Sequence, residues 1–304
     1  VDLPALAEIG AAHPIDFLAL TYTCSAADVG AARAALDAAG LASTKIIAKV
    51  ENRQGLHAFA EVAEAADAVM LSRGNLGLDV PPSKVAAIQK AAVTTCNLLG
   101  KPVIITRLVD TMVAAPRCTR AEATDVANAV LDGVDGLMLG AETLRGASPA
   151  ATVATVQSIA HQAELAFDHG AHFEALMVAQ MQAEVEAVEA AAVEAAGEGG
   201  EDGEDGTLAA AADGRSLLKK VSSFGSLPFG MGAGGDIPTR LHSGHASGAG
   251  HSGLAQPKVE AMASTAVRVA EKAGAALLIV FAYTGRTTSL VAKYRPAVPV
   301  LTVV

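Results

Sequence analysis

The chain has 304 residues, 51% of them hydrophobic but only 3% aromatic and none tryptophan, and a formal net charge of −10. That length admits one large domain or two, with a core built from Ala, Val, Ile and Leu. The negative balance argues against nucleic acid or an anionic membrane surface as partner, so an anionic ligand would need local cations or a metal ion.

Residues 15–160 alternate with regular spacing between short apolar runs and helical patterns. "DFLALTYT" (16–23) predicts a strand and "SAADVGAARAALDAAG" (25–40) a helix stopped by Gly40. "KIIAKVEN" (45–52) is the next strand, then a helix over 55–66, the strand "DAVMLSRG" (67–74) and a helix over 81–100 with Pro at its start. "KPVIITR" (101–107) is a strand, and "TRAEATDVANAVLDG" (119–133) a helix whose Thr119 and Glu122 have capping-box spacing. "DGLMLGAE" (135–142) is a strand and 148–167 a helix. Repeated βα units of this size imply a parallel sheet covered by helices, either doubly wound or a (β/α)8 barrel. No GxGxxG follows a strand, which weakens a dinucleotide-binding reading.

From 178 to 256 the composition changes. An Ala/Glu stretch of helical propensity runs into "GEGGEDGEDG" and then "LHSGHASGAGHSG", with His242, His245 and His251 among Gly and Ser. This segment has too little apolar surface to offset ordering, and disorder is expected over most of it. The α/β pattern resumes with a helix over 259–274, the strand "AALLIVFA" (275–282), a "YTGRTT" turn, the helix "SLVAKYRP" (289–296) and a strand to Val304. The three cysteines, Cys24, Cys96 and Cys118, are widely spaced with no CxxC, which points to reduced thiols in an intracellular setting. No apolar run reaches the length of a membrane span. The sequence starts at Val1, which leaves upstream targeting open.

Parallel α/β folds place their chemistry at strand C-termini. Those ends carry Lys49 and Glu51, Arg73-Gly74-Asn75, Thr106 and Arg107, and Glu142. Any one of them is as well explained as a loop charge. Together they describe a rim with cations for a phosphate or carboxylate and a carboxylate for a divalent metal. Side chains alternate along a strand, so Lys49 and Glu51 point to one side. Carboxylate, amide and water oxygens suit Mg2+.

"KIIAKVENRQG", "DAVMLSRGNLGLDVPPSKV", "RCTRAEATDVANAVLDGVDGLMLGAETLRG" and "STAVRVAEKAGAALLIVFAYTGRTTSLVAKYRPAVPVL" resemble the pyruvate kinase family, most of all its cytosolic plant-type branch. The resemblance implies transfer of the phosphoryl group of phosphoenolpyruvate to ADP, giving pyruvate and ATP in glycolysis. It implies a cytoplasmic homotetramer that uses Mg2+ or Mn2+ and K+. By resemblance Lys49 meets the phosphoryl group and Glu51 ligates the divalent metal. Gly74 contacts the phosphoenolpyruvate carboxylate through its backbone, with Arg73 among the substrate contacts. Asn75 stands where many members carry a second metal-ligating Asp, and brings an amide oxygen without a charge. Thr106 lies near the carbon that becomes protonated, and Arg107 replaces a glutamine common elsewhere in the family. Arg120 and Glu122 match a subunit-contact segment. Thr284, Gly285, Arg286, Thr287 and Thr288 match a phosphate-effector loop.

The fold the resemblance implies is α/β: residues 1–177 as about strands four to eight of a (β/α)8 TIM barrel, 178–256 as an insert, and 257–304 as the truncated start of a C-terminal α/β domain. The potassium ligands, the phosphate-gripping arginine and the lid domain are then expected outside this chain. A fragment of that kind is expected to fold poorly and turn over little when isolated. Two other readings compete: an inactive truncated paralogue docking onto complete subunits through the 119–133 helix, and a different metal-dependent barrel enzyme cleaving C–C bonds of pyruvate-like acids.

Overall fold

A computed structural model describes residues 3–197, 258–283 and 285–304. Most of the 178–256 insert, including His242, His245 and His251, lies outside the described residues, as does Thr284.

Helix α1 (Leu3–Ala12) precedes a run of βα units. They are β1 (Phe17–Leu20) and α2 (Ala26–Ala38); β2 (Lys45–Val50), α3 (Arg53–His57) and α4 (Phe59–Ala65); and β3 (Ala68–Leu71), α5 (Arg73–Asp79) and α6 (Pro82–Leu99). Then come β4 (Val103–Thr106), a 3-10 turn (Asp110–Val113), α7 (Arg120–Leu131), β5 (Gly136–Met138), α8 (Ala141–Leu144) and α9 (Pro149–Leu165). The five strands form one parallel sheet in chain order, β1-β2-β3-β4-β5. The order never reverses, so the sheet lacks the switch point of a doubly wound fold.

The helices pack against one another in sequence, α2 on α4 and α4 on α6, while α2 and α4 touch β2 and α6 touches β3 and β4. This side of the sheet is the core. Ile46, Ala48 and Val50 of β2 are fully buried, as are Leu36, Phe59, Val62 and Val93 on the helices. Each such large side chain contributes roughly 1.5–3 kcal/mol by leaving water. Ser25 and Thr119 complete capping boxes with Asp28 and Glu122. Gly100, at φ 66°, ends α6 in the left-handed conformation that glycine adopts without strain. Among the described strands β1 and β5 pair on one side only, and Phe17 on β1 is 61% exposed.

Several elements differ from expectation. The strand predicted over 67–74 ends at Leu71, because "RGNLGLD" coils into α5 around Leu76, which is wholly buried. The helix expected over 55–66 is broken at Ala58 into α3 and α4, with the Asn52 side chain capping α3 through the Gly55 N–H. The strand over 135–142 is shortened to Gly136–Met138, and Glu142 sits on α8.

Helix α10 (His169–Gly197) runs through the expected boundary at 177. The C-terminal elements are α11 (Lys258–Lys272), β6 (Leu278–Phe281), α12 (Arg286–Lys293) and β7 (Val300–Val303), with β6 and β7 parallel. Phe173 and Leu176 of α10 join Ala263, Val267, Val280, Val291 and Tyr294 in one core, so the start of α10 packs with the C-terminal elements. Helix α12 begins at Arg286, three residues before the helix predicted over 289–296, because Gly285 takes φ 77° as its N-cap. The end of α12 and the residues after it tie these elements to α6 and to the turn before β5. Lys293 Nζ pairs with Glu260 and donates to the Leu98 carbonyl at 3.1 Å. Arg295 meets Asp135 at 2.9 Å and the Gly133 carbonyl.

Candidate functional site

Register puts three of the candidate residues, Lys49, Glu51 and Thr106, on one face of the sheet. Lys49, Met70, Ile104 and Gly136 occupy one row across β2 to β5. Glu51 and Thr106 each stand two residues beyond a member of that row, so both point to the side of Lys49, away from Ile46, Ala48 and Val50. Two strand spacings separate Glu51 from Thr106, about 10 Å of backbone, room for a small anion between them.

Lys49 Nζ lies 2.7 Å from Glu51 Oε1, with side-chain exposures of 21% and 1%. Asn75, in the first turn of α5, donates its amide N–H to Glu51 Oε2. Glu51 Oε1 makes no hydrogen bond, its contact being the ion pair with the Lys49 ammonium. The Thr106 hydroxyl and Glu142 Oε1 are likewise buried without a hydrogen-bond partner. Of the five such side-chain atoms among the described residues, two sit at the C-terminal ends of β2 and β4 and a third, Glu142 Oε1, lies on α8, which follows β5. Buried polar groups normally find partners, so those left without one call for an explanation.

Mg2+ commonly uses one or two carboxylates together with substrate and water oxygens, and the Glu51 carboxylate is of that chemical kind. Among the described residues no group of three or more His, Cys, Asp or Glu is gathered to hold a metal. Glu51 is thus the charged ligand available here, and Asn75, which turns an N–H toward it, adds no charge.

Arg73, expected among the substrate contacts, has its guanidinium engaged by groups of the fold. It donates to the carbonyls of Thr106 at 3.0 Å and Arg107 at 2.7 Å, to Gln89 at 3.1 Å, and to both oxygens of Asp125 at 2.8 and 2.7 Å. Arg107 takes a left-handed φ of 64°. Its Nε lies 3.0 Å from where a side chain on Gly74 would begin, so the arginine lies over the Gly74 backbone, and it pairs with Asp110 at 3.2 Å. Sequence reasoning missed Asp125 and Gln89. They sit 52 and 16 residues from Arg73, and no local pattern announces them.

Arg120 is exposed at the start of α7. Glu122, expected beside it at a subunit contact, is occupied within its own chain, accepting from the N–H and hydroxyl of both Thr111 and Thr119. Burial pushes its carboxyl up, but these hydrogen bonds outweigh that and hold it below its ordinary 4.5. A lowered carboxylate adds stability above its unfolded pKa and loses it as pH falls through the folded value. Glu122→Ala should cost about 1 kcal/mol, as loss of a cap does. Thermal melts at neutral pH and at pH 3 should show the difference from wild type shrinking in acid. In the effector-loop segment Gly285 caps α12, Arg286 is exposed, Thr287 follows in the first turn, and the Thr288 hydroxyl accepts from Thr302 at 3.1 Å.

The description "Pyruvate kinase, barrel domain" matches residues 1–153, and "Pyruvate kinase, alpha/beta domain" matches 260–304. Pyruvate kinase 2, cytosolic, of Oryza sativa subsp. indica is 37% identical over 313 residues, covering 100% of this chain and 46% of its own length. Pyruvate kinase PKLR of Homo sapiens is 44% identical over 184 residues, covering 58% of this chain and 32% of its own. A crystal structure of a pyruvate kinase from Cryptosporidium parvum superposes with a TM-score of 0.69 at 28% identity, over 99% of this chain and 48% of that one. The chain spans about half the length of the full-chain relatives it matches. With both parts of the sequence matched by the family's two domains and full-chain relatives at 37% and 33% identity, this chain belongs to the pyruvate kinase family.

Proposed function

We propose that the protein containing this chain transfers the phosphoryl group of phosphoenolpyruvate to ADP, yielding pyruvate and ATP. The observation that carries this reading is the Lys49–Glu51 ion pair, its carboxylate only 1% exposed, on the same face as the buried Thr106 hydroxyl, which has no hydrogen-bond partner. A phosphoryl group in transfer spreads negative charge over its oxygens, so the protein's task is positioning and electrostatic stabilisation. Lys49 meets the phosphoryl oxygens and the developing enolate. Gly74 offers its N–H to the substrate carboxylate. The Thr106 hydroxyl, free of protein partners, stands toward the carbon that accepts a proton. Glu51 and Asn75 are the residues that would hold Mg2+ or Mn2+, and such an ion when bound neutralises charge on the phosphoryl and enolate oxygens.

In this reading β1 to β5 form the arc corresponding to strands four to eight of the family barrel, and α11 to β7 begin the C-terminal domain. The boundary between the two is best placed near His169, at the start of α10, because Phe173 and Leu176 pack with the C-terminal core. Potassium dependence, a homotetramer with Arg120 at a subunit contact, a cytosolic site and an effector loop at 284–288 follow from the resemblance, and the names of the plant relatives support the cytosolic assignment.

The test is pyruvate release by the full-length protein from phosphoenolpyruvate, with and without ADP and Mg2+. Turnover requiring both is expected. A folded protein that releases no pyruvate, or that cleaves pyruvate-like acids without nucleotide, overturns the proposal.

A further inference from the structure

Arg73 makes five hydrogen bonds with a side chain only 12% exposed, and every partner lies in the protein. Two partners are the successive carbonyls of Thr106 and Arg107, at the point where β4 leaves the sheet and the chain turns through a positive φ. A bulky residue holds such a backbone conformation only when its surroundings impose it. The other partners fix the guanidinium itself. Asp125 on α7 grips it through two parallel bonds, the geometry in which arginine is most firmly oriented. Gln89 on α6 accepts from it and donates in turn to Asp132 at 3.2 Å.

Resting on the functional reading above, we propose that Arg73 is a positioning residue: clamped by Asp125 and Gln89, it sets the Thr106–Arg107 turn. Through that turn it fixes where the Thr106 hydroxyl and the Arg107 side chain stand over Gly74. A lysine in its place keeps the charge but cannot reach two carbonyls and a carboxylate at once, because its ammonium is a point donor rather than a planar fork. Asp125 belongs to the same device, since without it the guanidinium loses its orientation.

The test uses the full-length protein and the variants Arg73→Lys, Asp125→Asn and their combination. Arg73→Lys should lower kcat by about 10–100-fold, the scale of a displaced catalytic group, while KM for phosphoenolpyruvate moves by less than about threefold. Asp125→Asn should change kcat in the same direction, and the double variant should be no worse than the worse single, since the two act as one unit. Exchange of pyruvate methyl protons with D2O, followed by NMR, reads enolisation alone and should fall at least as far as kcat. A rise of about tenfold or more in KM at unchanged kcat would make Arg73 a substrate contact and overturn the proposal. Asp125→Asn at the wild-type rate, or variants that lose only melting temperature, would overturn it equally. Wild-type protein silent in both assays overturns the functional reading and this inference with it; active wild type with indifferent variants overturns this inference alone.

Discussion

Lys49→Met is expected to lower turnover of the full-length protein by on the order of 10²–10³, the typical consequence of losing one group that stabilises transition-state charge. Phosphoenolpyruvate binding should stay within a few-fold, because the charge that Lys49 answers develops as the phosphoryl group moves. The geometry gives a control for the structural cost. Lys49 is the partner of a carboxylate whose side chain is 1% exposed, and leaving that carboxylate unpaired destabilises the fold. The double variant Lys49→Met with Glu51→Gln removes both charges and should recover much of any lost melting temperature without recovering activity. Steady-state kinetics of a folded Lys49→Met protein within a few-fold of wild type would sink the role assigned to Lys49.

Lys49 and Glu51 were legible in the sequence because a strand has period two and both lie on one run of it. The parallel sheet was legible for the same kind of reason: each apolar run was followed by a helical pattern, and Ser25, Thr119 and Gly100 stand where three of those helices are capped. Where tertiary packing overrides local preference, reading failed. Gly74 and Gly77 depress helix propensity in "RGNLGLD", yet the wholly buried Leu76 draws the segment into α5. The change of composition near 177 was real, but alanine and glutamate carry α10 straight through it. Arg73 looked like a free cation at a strand end. Its partners, Gln89 on α6 and the neutralising Asp125 on α7, become neighbours only once the sheet has formed.

Gly55→Ala and Gly30→Ala should act with opposite sign, though both add one methyl to a helix. Gly30 lies exposed on α2 with nothing within 4 Å of an added Cβ. There alanine should stabilise by about 0.5–1 kcal/mol, by reducing the freedom of the unfolded chain. Gly55 is buried on α3, and its Cβ would stand 2.5 Å from the Thr23 carbonyl oxygen, 3.3 Å from Val50 Cγ1 and 3.4 Å from Asn52 Oδ1. The first of these is backbone and cannot swing aside. Thr23 is 1% exposed, bonds through its hydroxyl to the Leu20 carbonyl at 2.9 Å, and donates its N–H to the Lys49 carbonyl at 3.1 Å. Relief of the clash therefore has to move either the end of β1 or the turn after β2, and the second carries Lys49 and Glu51. Overpacking of this kind costs typically 1–3 kcal/mol. At about 2–4 °C per kcal/mol for a domain of this size, the Gly55→Ala melting temperature should fall by roughly 2–12 °C. Displacement of the Lys49–Glu51 pair by even about 1 Å should lower kcat by up to 10²-fold in the protein that remains folded. Melting curves and steady-state rates of the two variants, measured side by side below either transition, decide it. Equal effects at the two positions would show that the approach of Thr23 to α3 does not constrain the site.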